Sequence, residues 1–195
     1  MPRTAKVIRT TKETDISLEL NLDGSGNYEV ETGIGFLNHM IEGFVKHGCF
    51  DLKLKVLGDL EVDGHHTVED TGIVLGQAIK EALGDKVKIV RYGSIILPMD
   101  DALVLCAIDL CNRPYFSYQA RFEVERVGTL EVELVREFFY AVSYSAGMNL
   151  HIKVMDGHNA HHIIEAMFKS FAKALDAAVA YDQRIEGVLS TKGMV

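Results

Sequence analysis

The stretch Asp63-Gly64-His65-His66-Thr67-Val68-Glu69-Asp70 has a counterpart in Asn159-Ala160-His161-His162-Ile163-Ile164-Glu165-Ala166, so the pattern His-His-x-x-Glu occurs twice in one chain. Taken once, it is a short signal that surface histidines at a helix start would also give. Recurring at matching points of two similar half-chains, it is hard to obtain by chance. If each pattern opens a helix, His65 and Glu69 share a face one turn apart, while His66 lies roughly 100° round the axis. Adjacent histidines then cannot easily chelate one ion from a regular helix, so each serves a different metal and the doubled pattern reads as a two-metal site. Imidazole and carboxylate suit Mn, Fe, Co, Ni or Zn. The absence of cysteine from both patterns argues against a closed structural zinc site.

Upstream of the first pattern, Lys6–Thr11, Asp15–Leu22 and Tyr28–Glu31 alternate as strands, with Asp23-Gly24-Ser25-Gly26 as a hairpin turn. Phe36, Leu37, Met40, Ile41, Phe44 and Val45 recur at helical spacing until Gly48 stops the run, Phe50–Leu57 alternates again, and a second helix spans about His65 to Leu83. The same order restarts after Gly84, with strands at Ser94–Leu97, Ala102–Leu110 and Tyr115–Gln119, a helix over Leu130–Ala146, a strand at Asn149–Met155 and a helix over Asn159–Tyr181. This is an α+β chain of duplicated βββαβα halves, at about 1–88 and 89–195, each a sheet with helices on one face. No linker rich in Pro, Gly or Ser separates the halves, which predicts one compact domain over 1–195.

The chain has 195 residues and 48% hydrophobic content, enough for a sizeable core. Its 20 basic and 28 acidic residues give a formal charge of −8 with no block of one sign, which argues against a nucleic-acid partner. Cys49, Cys106 and Cys111 are odd in number and lie in apolar stretches, which fits reduced thiols and a cytoplasmic location. The N-terminal stretch has no apolar core or cleavage site, and nowhere is an apolar run long enough to span a membrane.

A six-coordinate metal needs more than three side chains, so polar residues at equivalent places in the two halves are candidates. His39 in Gly35-Phe36-Leu37-Asn38-His39 and Glu137 in Leu134-Val135-Arg136-Glu137 fall at nearly matching positions on the first helix of each half. The remaining histidines carry less. His47 precedes the glycine that ends a helix, His151 reads as a satisfied buried histidine in a strand, and His158 reads as a solvated loop residue.

The string from Asp63 to Gly72, with Phe36-Leu37-Asn38-His39-Met40 upstream and the stretch from Asn159 to Lys169 downstream, closely resembles the imidazoleglycerol-phosphate dehydratase family. Further points of similarity lie at His47-Gly48-Cys49-Phe50-Asp51-Leu52, Asn112-Arg113-Pro114-Tyr115, Gly147–Ile152 and Ser190-Thr191-Lys192-Gly193, so the match covers nearly the whole chain. The resemblance implies a fold of the ribosomal protein S5 domain 2-like kind. It implies removal of water from imidazole glycerol phosphate to give imidazole acetol phosphate in histidine biosynthesis. Two Mn2+ ions per active site are implied, with His39, His65, His66, Glu69, Glu137, His161, His162 and Glu165 as ligands; some family members carry His where this chain has Glu137. They would stabilise an imidazolate-type intermediate, because the carbon that loses its proton has no neighbouring carbonyl.

Glu13 matches a substrate-site glutamate and is the candidate for proton transfer, while Arg91, Arg113, Lys169, Ser190 and Lys192 match substrate-binding positions suited to a phosphate. The resemblance also implies a homo-oligomer of twenty-four subunits with sites shared between them. Two rival readings fit the metal ligands alone: a metallohydrolase, and a non-catalytic metal-storage or scaffold protein.

Overall fold

The computed structural model describes residues 3–194. The first half contains β1 (Thr4–Thr10), β2 (Thr14–Asn21), β3 (Tyr28–Glu31), α1 (Gly35–Gly48), β4 (Asp51–Gly58) and α2 (His65–Leu83). The second repeats that order as β5 (Tyr92–Met99), β6 (Ala102–Asp109), β7 (Tyr115–Gln119), α3 (Glu133–Ala146), β10 (Asn149–Asp156) and α4 (Ala160–Val179). A short hairpin of β8 (Arg126–Val127) and β9 (Leu130–Glu131) is inserted before α3.

Each half builds a four-stranded sheet with the same order, β1-β2-β4-β3 and β5-β6-β10-β7. In both, the last strand of the half runs antiparallel to the second and parallel to the third. The fold is therefore α+β with duplicated halves. The period-2 alternation of β2 buries Ile16, Leu18 and Leu20 on one face, and β6 does the same with Val104, Cys106 and Ile108. On these inner faces α2 packs against β1, β2 and β4, and α4 against β5 and β6.

The helices also cross between halves, α1 lying on α4 and α2 on α3. Close approach in the second pair depends on glycine: a Cβ at Gly72 would stand 2.6 Å from the Phe138 carbonyl, and one at Gly76 2.6 Å from that of Val142. One continuous core, including Phe44, Phe138, Phe139, Phe168 and Phe171, joins the four helices. No helix among the described residues is long and apolar enough to cross a membrane.

Several local expectations are corrected. Asp23–Gly26 is not a hairpin turn, because β2 and β3 are separated by β4 in the sheet. The Asp51 carboxylate, at the start of β4, accepts the N–H groups of Ser25 and Asn27 and draws the loop across. Gly48 lies inside α1, and Cys49 takes the left-handed cap at φ 56°. Glycine is needed at 48 for another reason, since a Cβ there would lie 2.2 Å from the Phe50 ring. Leu130 and Glu131 belong to β9, because the Val132 N–H bonds back to the Glu125 carbonyl and delays α3 until Glu133. His151 is exposed on β10 with its ring 5.5 Å from that of Tyr115, since its strand position faces outward. Cys49 is also exposed, whereas Cys106 and Cys111 are buried free thiols.

Candidate metal centre

Both histidine pairs open helices. Gly64 precedes α2, and the Asp63 carboxylate accepts the His65 N–H at 2.7 Å. Asn159 caps α4, its side chain accepting the N–H groups of His161 and His162 at 2.9 and 3.4 Å. Within each pair the rings stand nearly perpendicular, 6.2 Å apart for His65 and His66 and 6.0 Å for His161 and His162. The two members of a pair therefore present their nitrogens in different directions.

Packing of α1 on α4 brings His39 opposite the second motif. The ring of Phe36 meets that of His161 at 5.0 Å and Phe44 stacks on Phe171 at 5.3 Å, so the two helices run side by side in a fixed register. As a result His161 Nε2 lies 3.3 Å and His39 Nε2 3.9 Å from Glu165 Oε2. Donor atoms of His39, His161 and Glu165 all lie within 4.8 Å of one another, the one such group of three or more among the described residues. Two donors held about 2.1 Å from an ion at right angles stand roughly 3 Å apart, so a small adjustment closes this set on a metal.

Lys169, one turn along α4, donates to Glu165 Oε1 at 2.6 Å and leaves Oε2 facing the histidines. Burial opposes the charge on Glu165, but the Lys169 hydrogen bond and charge, with smaller help from His39 and His161, hold the carboxyl below its ordinary value. Glu165 is thus a carboxylate ready to ligate.

The other motif gathers fewer donors. His65 Nε2 stands 3.9 Å from Glu69 Oε2, while Glu137 on α3 pairs with its neighbour Arg136 at 2.7 Å and joins no such group. His66 and His162 turn away from their partners and share a different arrangement. Asp59 accepts from His66 Nδ1 at 3.0 Å and Asp101 from His162 Nδ1 at 2.6 Å. An ionised carboxylate only accepts, so in both rings Nδ1 carries a proton and Nε2 is the atom that a metal could take, with Glu13 Oε1 3.7 Å from that of His66 and Asp100 Oδ2 3.5 Å from that of His162. The Asp59 hydrogen bond is the main reason that the His66 pKa is raised. Asp101 is held well below the carboxylate range by the N–H groups of Asn159 and His158, and then by His162. Neither aspartate was marked by periodic spacing in the chain: Asp59 lies just past the end of β4, seven residues before His66, and Asp101 lies between β5 and β6, 61 residues before His162.

Glu13 sits in the β1–β2 loop with Oε1 3.7 Å from His66 Nε2. The loop is fixed to α2: Asp70, next to Glu69, accepts from Arg9 and from Thr14 on either side of it. Four of the substrate-binding candidates, Arg91, Arg113, Ser190 and Lys192, line a cleft of about 340 Å³. Lys169 is not among them, being held on Glu165. Arg91 grips Asp109 through Nε at 2.6 Å and Nη2 at 3.0 Å and donates Nη1 to the Leu189 carbonyl at 2.7 Å. It thereby ties the C-terminal loop, with Ser190 and Lys192, to the second sheet.

Residues 32–175 match the family model for imidazoleglycerol-phosphate dehydratase. The chain is 70% identical over its full length, and that of its relative, to the imidazoleglycerol-phosphate dehydratase of Lachnoclostridium phytofermentans, and 59% identical on the same terms to that of Acetivibrio thermocellus. The crystal structure of the Staphylococcus aureus enzyme aligns with a TM-score of 0.83 and 39% identity, over 92% of this chain and 99% of that one. That of the Pyrococcus furiosus enzyme, in complex with (S)-C348, aligns with a TM-score of 0.84 and 38% identity, over 97% and 100%. With the fold repeated in both halves and the match running end to end, the chain belongs to the imidazoleglycerol-phosphate dehydratase family, hydro-lyases of histidine biosynthesis.

Proposed function

We propose that this chain converts imidazole glycerol phosphate to imidazole acetol phosphate at a site holding two Mn2+ ions. The observation that supports it most is the meeting of His39, His161 and Glu165, from helices of different halves, as two imidazole nitrogens and a charged carboxylate. This donor set fits Mn2+ as well as other first-row divalent ions. Bound metal would act as a Lewis acid, stabilising negative charge on the imidazole ring of the substrate.

The chain's own residues bind, orient and move the proton. Arg113, Ser190 and Lys192 hold the phosphate in the cleft, while Arg91 fixes the loop and offers its remaining N–H groups. Glu13, half exposed beside His66, takes the proton from carbon and passes it to the departing hydroxyl group, which leaves as water. The enol left behind becomes the ketone by moving a proton to carbon.

His65 and Glu69 offer two donors, and the Nε2 atoms of His66 and His162 face away from both sets. Completing a six-coordinate ion thus draws on a second copy of the chain. The metal cluster and the phosphate cleft share no lining residue, which also favours a site built between subunits. We take the assembly to be the twenty-four-subunit particle of the family, in the cytoplasm, with metal joining its parts.

The test is to incubate Mn-loaded protein with imidazole glycerol phosphate and follow the enolisable ketone. Ketone without free phosphate is expected. Release of inorganic phosphate would place the chain with metallohydrolases, and Mn retention without binding of any imidazole phosphate would make it a metal scaffold.

A further inference from the structure

The segment joining the two halves contains a buried amine with no part in the chemistry above. Lys86, between α2 and β5, is 2% exposed. Its Nζ donates to the Leu110 carbonyl at 3.1 Å and to Asn112 Oδ1 at 2.7 Å, and among the described residues no carboxylate is paired with it in a salt bridge. Keeping an ammonium inside without a direct ion pair is costly. Burial pushes the Lys86 pKa down to about 8, with Cys111 and Asp109 from the β6 end favouring the charge and Lys80 of α2 and Arg91 of the connector opposing it.

The geometry around Lys86 explains what the amine achieves. Leu110 to Asn112 is the turn that delivers Arg113 to the anion cleft, and Asn112 there has φ 58°. The Arg113 carbonyl is held by the Asn149 side chain at 2.5 Å, so the turn is gripped from both sides. The connector itself is forced into shape, with Lys86, Lys88 and Arg91 all left-handed at φ 59°, 63° and 74°. Through Lys88 it holds the segment that leads into the other wall of the cleft, the Lys88 N–H donating to the Gly187 carbonyl at 2.7 Å, two residues before Leu189.

We propose that Lys86 is a positioning residue for the anion cleft, its buried ammonium clamping the Leu110–Asn112 turn so that Arg113 faces Ser190 and Lys192. The amine also adds positive charge behind a cleft whose Arg91 is already neutralised by Asp109. Anion binding and the proton on Lys86 therefore support each other, and affinity falls as pH rises through about 8 and the proton is lost. That the anion is a substrate phosphate rests on the function proposed above.

The experiment uses Mn-loaded enzyme and inorganic sulfate, whose charge is constant over this pH range. Lys86→Met should raise KM and weaken sulfate binding by about tenfold, with kcat within about twofold of the parent and Mn content unchanged. The loss of sulfate affinity near pH 8 should be present in the parent and absent from the variant. Lys86→Gln, which keeps a donor without the charge, should recover part of the affinity and none of the pH dependence. Parental sulfate affinity in either variant, an unchanged pH break, or a fall in kcat and Mn content at constant KM would overturn the proposal. So would failure of both variants to fold, which would make Lys86 a folding residue only. If the parent does not turn over imidazole glycerol phosphate, the function fails, and calorimetry with sulfate still decides the role of Lys86.

Discussion

Removing the carboxylates behind His66 and His162 should weaken metal binding unequally. Asp59 meets His66 Nδ1 through both oxygens, at 3.0 and 3.2 Å, and among the described residues that carboxylate accepts no backbone N–H. Asp101 makes a shorter contact to His162, 2.6 Å, and also holds the N–H groups of His158 and Asn159 where the chain enters α4. Carboxylates that orient a ligating histidine are typically worth about 10–100-fold in metal affinity, or roughly 1.4–2.7 kcal/mol. The two histidines are about equally exposed, so the difference rests on the shorter His162 contact and on the additional hold of Asp101 at the start of α4. Asp59→Ala should therefore lie near the lower end, about tenfold, and Asp101→Ala near the upper end, about hundredfold. Titration with Mn2+, following the paramagnetic resonance of free ion, measures both. Parental affinity in both variants, or a larger loss for Asp59→Ala, would refute the orienting role and the choice of Nε2 as the ligand atom.

Other substitutions separate the parts of the site. His161→Ala should lower bound Mn and abolish dehydration; full activity at unchanged stoichiometry would remove it from the ligands. Arg113→Ala should leave Mn content intact and raise KM about tenfold or more, read from steady-state kinetics. Glu13→Gln should keep Mn and substrate binding while turnover falls by about 10²–10⁴, and near-parental turnover would exclude it as the proton-transfer group. Gly72→Ala should cost about 1–3 kcal/mol in chemical denaturation, because the added Cβ meets the Phe138 carbonyl at 2.6 Å and backbone cannot move aside; a neutral effect would contradict the close α2–α3 contact.

Much of the fold was legible because its signals are local and repeated. Alternation located the strands of both sheets, and helical spacing located α1, α2 and α4 to within a few residues. What failed was non-local. Asp23–Gly26 has every property of a hairpin turn, yet the partner of β2 is β4, which no nearby residue announces. The start of α3 was missed because a hairpin around Gly128 takes Leu130 and Glu131 out of the helical pattern. At the site, the helix spacing gave His65 with Glu69 and His161 with Glu165, and the repeat pointed to His39. The repeat also pointed to Glu137, which the fold leaves paired with Arg136. The hold of Lys169 on Glu165 is an i,i+4 pair on α4 that helical spacing alone could have shown, whereas Asp59 and Asp101 reach their histidines only because a strand end meets the start of a helix, which carries no periodic signal in the chain.

The most direct test of the two-metal reading is an anomalous difference map from crystals grown with Mn2+, collected on either side of the manganese absorption edge. Two peaks per subunit are expected, one among His39, His161 and Glu165 and one at His65 and Glu69, with His66 and His162 reaching ions shared with neighbouring subunits. A map with no peak at either motif, in protein that still dehydrates imidazole glycerol phosphate, would contradict the account.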